Sequence, residues 1–344
     1  MPVFMTLTGV PSNKPEEGGK GKQKVGKIPF NKISYIPIKG QVAVLKPILD
    51  KISITYIIGD PDLKAVVVQN LLHEIVEGVG HWQSGAFKVG SVAYQASAKL
   101  MIPSSGDSVL VQAGPKKKTT THALRLEFNP AALGSSGIAF LKSQLESLVP
   151  DGLSFADIIA NGKVTRVDIA VDIVGLHLAA LLLSNKTGGK QHWYLSPEGK
   201  PETGYLGIQP KDKNAKWKIY NKRQDIKDKS KFPVEQAFGG LSRTRLEYTY
   251  VTSKPFAKLA ALENRFYEIS LAYPKPPKGV KPYAWTFFID SCVRRGQPAA
   301  LALLPDGKLR KSYQKALDTA HVSFWRPDKI WEAWPDALSG SGLN

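Results

Sequence analysis

Four short stretches of the chain place polar residues at every second position, and their types suit phosphate chemistry. They are Arg125/Glu127, Arg166/Asp168/Asp172, Lys218/Tyr220/Lys222 and Arg243/Arg245/Glu247. In an extended chain, residues two apart share a face, so each stretch reads as a strand with one polar side. A tyrosine with lysines at i−2 and i+2 has positive charge on both sides, which favours a phenolate and draws in a phosphate. Carboxylates on neighbouring strands can hold a hard divalent cation, Mg2+ or Mn2+, which polarises a phosphoryl oxygen. Tyrosine, divalent ion and basic surface are the parts of a phosphodiester transesterase: the phenolate attacks a DNA phosphate and holds one end covalently. The same residues also read as a ladder of cross-strand ion pairs, with Tyr220 an ordinary half-buried sheet residue.

The stretch around which the rest is arranged is Val164–Ile173, V-T-R-V-D-I-A-V-D-I. Thr165, Val167, Ile169, Val171 and Ile173 fall on one face of a strand, and Arg166, Asp168, Ala170 and Asp172 fall on the other. The first face is expected in the core and the second in solvent. Before it, Lys51–Ile58 and His122–Phe128 read as strands, and Asp60-Pro61 opens a helix to about Gly78. Residues 85–113 read as two or three antiparallel strands with turns at Gly90 and Ser104–Asp107, and Lys116–Lys118 form an exposed basic tip. A helix around Gly137–Leu148 joins His122–Phe128 to the central strand, a connection that makes a parallel neighbour or skips over an intervening strand. Beyond it come a short helix or helical turn at Leu176–Leu183, strands at Gln191–Ser196, Thr203–Gln209 and Lys216–Lys222, and a further strand at Leu241–Val251. Helices are expected at Pro255–Phe266, Tyr283–Arg294, Pro298–Leu304 and Lys308–Ala320, with a Pro-rich linker at 272–282. The tryptophans 325, 331 and 334 should pack back on the body.

Composition narrows the partners. The chain of 344 residues carries 47 Lys+Arg against 29 Asp+Glu, a net charge of +18, and such an excess fits a polyanion. Hydrophobic content of 42% is that of a globular protein with a sizeable core. No apolar run spans a bilayer and no secretory signal opens the chain, so a cytoplasmic location with no membrane partner is expected. One cysteine, Cys292, excludes an internal disulfide and any multi-cysteine metal site. Six histidines form no His-x-His and no His-Glu-x-x-His, and no Gly-rich loop ends in Gly-Lys-Ser/Thr, which leaves zinc chemistry and nucleotide hydrolysis without support. Residues 211–231 hold nine Lys/Arg against three Asp, with Trp217 and Tyr220 interleaved. Lys216, Trp217 and Arg223 are candidates there for binding single-stranded DNA by phosphate contact and base stacking.

L-R-L-E-F-N-P at 124–130, V-T-R-V-D-I-A-V-D at 164–172, G-K-P-E-T-G-Y-L-G at 199–207, K-I-Y-N-K at 218–222 and R-L-E at 245–247 resemble, in order and spacing, the trans-acting replication initiators of rolling-circle plasmids, with similar proteins in filamentous phages. The resemblance covers roughly residues 50–320. It implies an α+β fold: a central, mainly antiparallel sheet flanked by helices, a divergent relative of the His-hydrophobic-His endonuclease sheet, with a helical C-terminal part. It implies Tyr220 as the DNA-nicking nucleophile, with Lys218, Lys222 and Arg166 holding phosphate or tuning the tyrosine. Glu127, Asp168 and Asp172 become metal ligands for Mg2+ or Mn2+, with Glu247 and Arg245 behind them. Its implied partners are double-stranded origin DNA, single-stranded nick-site DNA, a host helicase and polymerase, and a second copy of the chain. The usual Gly-x-x-x-Ser-Asp turn is replaced by Gly207 followed by K-D-K-N, and the arginine beside Ile-Tyr by Lys218.

The expected layout is a flexible basic tail at 1–30, a catalytic nicking domain at 31–253 and a helical DNA-recognition region at 254–344. In the last, Lys308, Arg310, Lys311 and Lys315 are candidate duplex contacts, with Leu309, Ala316 and Ala320 on the packed side. A conjugative relaxase and a non-catalytic origin-binding protein are the rival functions.

Overall fold

The computed structural model describes residues 35–37, 42–77, 80–84, 93–117, 123–149, 153–178, 181–187, 190–197, 199–208, 216–222, 224–225, 241–305, 307–320 and 322–343. The tail at 1–30, Gly90, Lys118, the K-D-K-N turn and Arg223 lie outside them. Strands and helices are mixed, every strand pair with a defined register is antiparallel, and the class is α+β. In chain order the elements are β1 (Tyr35–Pro37), β2 (Ala43–Leu45), β3 (Ile48–Tyr56), α1 (Pro61–Glu77), β4 (Trp82–Ser84), β5 (Tyr94–Met101), β6 (Ser108–Pro115), β7 (Leu124–Phe128), α2 (Pro130–Leu148), α3 (Phe155–Asn161), β8 (Lys163–Val174), β9 (Leu182–Asn185), β10 (Lys190–Leu195), β11 (Pro201–Ile208), β12 (Trp217–Asn221), β13 (Arg243–Pro255), β14 (Ile269–Ala272), α4 (Pro282–Arg295), α5 (Gln297–Ala302), α6 (Gly307–Asp318), α7 (Pro327–Glu332) and α8 (Trp334–Ser339). They fall into two compact units, and the chain passes between units within β8, after Ala170, and within β13, after Tyr248.

One unit holds Pro47–Ala170, Thr249–Glu263 and the last residues from Ala333. Its strands run β8-β3-β7-β6-β5-β4. Register fixes one apolar face: Ile52 opposite Phe128, Ile54 and Val111 opposite Leu126, Ala98 opposite Val111 and Leu100 opposite Val109. The buried sides of α1 (Val67, Val68, Leu71) and α2 (Leu133, Ile138, Leu141, Leu145, Leu148) pack on it. Each helix has a start signal in the sequence. Asp60 accepts from the Asp62 backbone N–H at 2.8 Å, and Asn129 from that of Ala132 at 3.0 Å, each just before a proline at the first helical position. The connection from β7 through α2 and α3 returns to β8 with β3 in between, so the chain skips over a strand. Helix α3 was not expected from periodicity. Ser154 and Asp157 form a full capping box that signals its start.

The other unit holds the described residues up to Lys46, Val171–Tyr248 and Asn264–Glu332. Here the strands run β10-β11-β12-β13 with the end of β8 beside β13, and β2 pairs with β8 from Ala43↔Val174. One core packs Leu182, Ala272, Trp285, Phe288, Cys292, Tyr313 and Leu317 together, and burial pushes the Cys292 thiol up to about 12, which marks it as packing. A second joins Trp217 to Tyr248 and Phe266, and Phe266 to Trp325 and Trp331, with ring centroids 4.8–6.0 Å apart.

Two expected helices differ. Leu176–Leu183 is not a single helix: Leu178 lies in a 3-10 turn, its carbonyl accepting from the Leu181 N–H at 3.0 Å, while Leu182 and Leu183 enter strand β9, pairing with β14 at Leu183↔Leu271, because the end of the apolar run finds a strand partner in the same unit. Pro255–Phe266 is not one α-helix. Strand β13 runs on to Pro255, and Phe256–Ala261 is a 3-10 helix that buries Phe256 and Leu259 at three-residue spacing. The polar face of β8 also departs from expectation, since Asp168 is 1% and Asp172 3% exposed. Every residue of β8 from Val167 to Val174 is buried, so both faces of the strand are covered and its carboxylates need partners.

Candidate functional site

In the unit that carries Tyr220, the register across four strands sets out two rows on one face. The first runs Tyr194, Thr203, Tyr220, Arg245, and the second runs His192, Tyr205, Lys218, Glu247. The motif at 199–207 builds the middle of this sheet. Gly199, at φ +76, closes the β10–β11 hairpin. Gly204 lies under the Trp193 ring on the opposite face, where a Cβ would stand 2.5 Å from a ring carbon. The chain therefore needs glycine there to let the indole lie flat on β11.

Tyr220 is 4% exposed, and its hydroxyl donates to Glu247 Oε2 at 3.3 Å. Lys218 Nζ lies 4.2 Å and Lys222 Nζ 5.5 Å from the centre of its ring, so the two flanking lysines do surround the phenol. Lys222 also pairs with Asp225 at 2.8 Å. Tyr205 faces the same carboxylate, and burial first, then Tyr194 and Glu247, push its phenol above the ordinary tyrosine value. A phenol in contact with a carboxylate, between two ammonium groups, has a proton acceptor on one side and charge compensation on the other.

Asp172 is engaged as an ion-pair partner. Arg245 Nε and Nη2 donate to its two oxygens at 2.7 and 2.8 Å, and Arg243 Nη2 donates to Oδ2 as well. Burial alone would raise the Asp172 carboxyl, but the charges and hydrogen bonds of Arg245 and Arg243 outweigh it and hold it well below the usual carboxylate range. Arg245 lies opposite Tyr220 in the ladder, so Asp172 fixes the strand on which Glu247 stands two residues on. Its role here is positioning.

Glu127, Asp168 and Arg166 lie in the other unit. Arg166 makes a fork-to-fork pair with Asp168 at 2.8 and 2.7 Å. Glu127 holds Arg125 at 2.5 Å and Lys51 at 3.2 Å, and Arg125 goes on to Ser53 and Gln112, which reaches Ser97. These oxygens are of the kind Mg2+ takes, and such an ion needs only one or two carboxylates beside substrate phosphates. Their charge is already neutralised, however, and among the described residues no three of His, Cys, Asp and Glu gather closely enough to hold a metal. Paired in this way, the donor set does not fit a resident divalent ion.

Of the candidate DNA-binding residues, Lys216 is exposed, but Trp217 is fully buried, with its Nε1 donating to Glu268 at 3.1 Å. Trp217 is a core residue of its unit and cannot stack on a base. The alternation that puts Tyr220 on one face of β12 puts Trp217 on the other. In α6, Lys308, Arg310, Lys311 and Lys315 are exposed, while Leu309 and Ala316 pack inward. The same helix buries Tyr313 and Leu317, to which the spacing of its charges does not point. Sequence reasoning missed Tyr194 and His192, although H-W-Y-L alternates amphipathic with apolar residues.

No protein-family profile matches the chain. Three curated proteins of Staphylococcus aureus, each named "Replication initiation protein", resemble part of it. One is 33% identical over 105 residues, which is 30% of this chain and 29% of that protein. Two more are 30% identical over 111 residues, 32% of this chain and 31% or 32% of theirs. The chain thus matches under a third of the length of these relatives.

Proposed function

We propose that the chain is a replication initiator that nicks one strand of its origin through Tyr220 and starts rolling-circle replication. The observation that carries this reading is the Tyr220 hydroxyl, 3.3 Å from Glu247 Oε2, with Lys218 and Lys222 over the ring. In the proposed step the Tyr220 phenolic oxygen attacks the scissile phosphorus and passes its proton to Glu247. The phosphorus–O3′ bond breaks, leaving a 5′-phosphotyrosine and a 3′-oxygen that takes up a proton to become the primer hydroxyl. Lys218 and Lys222 bind the phosphate oxygens as charge builds on them. Because the phenol is buried, Lys218 must swing off the ring to meet the phosphate, so substrate binding uncovers the nucleophile. The partial resemblance to proteins named for replication initiation and the net charge of +18 support the choice of DNA as substrate.

Within this reading, duplex origin DNA is held by the exposed basic face of α6, and catalysis belongs to the sheet. Mg2+ or Mn2+ is proposed only as an ion of the DNA complex, where phosphate oxygens supply the missing ligands. The burial of Tyr220 favours one rival, an origin-binding protein without chemistry. A supercoiled plasmid carrying the origin of the chain's own replicon decides between them. Nicking through Tyr220 gives an open-circular product with protein attached to one strand, and unchanged supercoiled DNA with full binding would establish the rival.

A further inference from the structure

Strand β10 leaves one side of its hairpin open, and that side is aromatic and basic. Lys190, His192 and Tyr194 are exposed, alternating with half-buried Gln191, Trp193 and Leu195. Tyr194 is 56% exposed, yet it is held in place: its ring meets His192 edge-on with centroids 4.8 Å apart, and Tyr205 at 5.9 Å. A rigid, exposed aromatic array has no task in a core and loses little entropy when it receives a flat ligand. It also shares its face with Tyr220. Tyr194 lies opposite Thr203, which lies opposite Tyr220, so the two tyrosines are two strands apart, about 10 Å across the sheet.

We infer that Tyr194 and His192 form a stacking platform for unpaired bases of the strand whose phosphate is bound at Tyr220. The inference rests on the proposed nicking function for its choice of ligand. Lys190 on the platform and Lys218 beside Tyr220 supply positive charge at both ends of the track, which matches a phosphate backbone between them. Bases in a duplex are stacked on one another and present no free face, so the platform takes single strands and discriminates against duplex. It replaces the buried Trp217 as the stacking partner in this unit.

The test measures binding of the full chain to a short fluorescent single strand and to a duplex of the same sequence. Tyr194→Ala should weaken single-strand binding about 5- to 150-fold, the range of one base stack removed. Duplex binding and the salt slope should stay as in the parent, because every phosphate-binding side chain is kept. Tyr194→Phe, which keeps the ring, should bind like the parent. Single-strand affinity unchanged in Tyr194→Ala, or single-strand and duplex affinity falling by the same factor, would overturn the platform. Since the readout needs no cleavage, the outcome separates from the nicking reading. Failure of Tyr220 to form an adduct with the Tyr194 effect intact removes the chemistry and keeps the platform, and the reverse pattern removes only the platform.

Discussion

The Tyr220 hydroxyl donates to Glu247 across the β12–β13 ladder, two residue pairs off the direct register that sets Tyr220 against Arg245 and Lys218 against Glu247. A carboxylate in that position is placed to take the phenolic proton. Glu247→Gln keeps the shape and removes the basicity. Single-turnover nicking should fall about 100- to 10,000-fold, as for loss of a general base, while DNA affinity holds. A Gln variant that keeps the parental rate assigns the proton elsewhere.

Asp172 should behave as a structural anchor. Removing one member of a buried ion pair costs about 3–5 kcal/mol, so Asp172→Asn should lower the stability by that order in chemical denaturation at neutral pH. The pH dependence has a definite sign. The folded carboxyl titrates below its unfolded value of about 3.9, so its stabilisation is present above about pH 4 and is lost as pH falls through the folded value. The stability gap between parent and variant should therefore be constant at neutral pH and close only in strong acid. A gap that closes near pH 6 would implicate another group.

Much of the sheet was legible because its strands alternate strictly. Val164–Ile173 lies within the observed strand, and the lysines on either side of Tyr220 do meet its ring. Alternation reports which residues share a face, but not whether that face meets water. Asp168 and Asp172 share the polar face of β8, and packing on both sides of the strand buries them. The arginines that neutralise the acids were visible in the sequence, Arg166 two residues from Asp168 and Arg245 two from Glu247. Which acid each one serves depends on register between distant strands, and Arg245 turned to Asp172. The end of the Leu176–Leu183 run, Leu182 and Leu183, is strand for a related reason. A short apolar run is a helix or a strand according to a partner far along the chain, here Leu271 for Leu183.

The acids of the other unit lead to a metal-binding prediction. With Arg125 and Lys51 on Glu127 and Arg166 on Asp168, the protein without DNA should take up no stoichiometric Mn2+ at these residues. Titration followed by electron paramagnetic resonance reads this directly. A stoichiometric site in the free protein that disappears in Glu127→Gln, with folding retained, would contradict the ion-paired arrangement.

In the proposed reading, duplex recognition belongs to helix α6 and chemistry to the sheet. Arg310→Ala with Lys311→Ala should weaken duplex-origin binding and reduce the salt slope by about 0.9 for each phosphate no longer neutralised. Both side chains are exposed, so the fold should survive. Cleavage of a short single strand should continue at the parental rate. Equal loss of both activities would merge the two surfaces.

The covalent adduct tests Tyr220 as the nucleophile most directly. Tyr220→Phe keeps the ring under Lys218 and removes only the attacking oxygen, so fold and DNA binding should persist. Incubated with labelled nick-site DNA and resolved under denaturing conditions, the parent should carry DNA on the Tyr220 peptide, identified by mass spectrometry, and the variant should carry none. An adduct of undiminished yield in Tyr220→Phe would contradict the assignment and move the nucleophile to another residue.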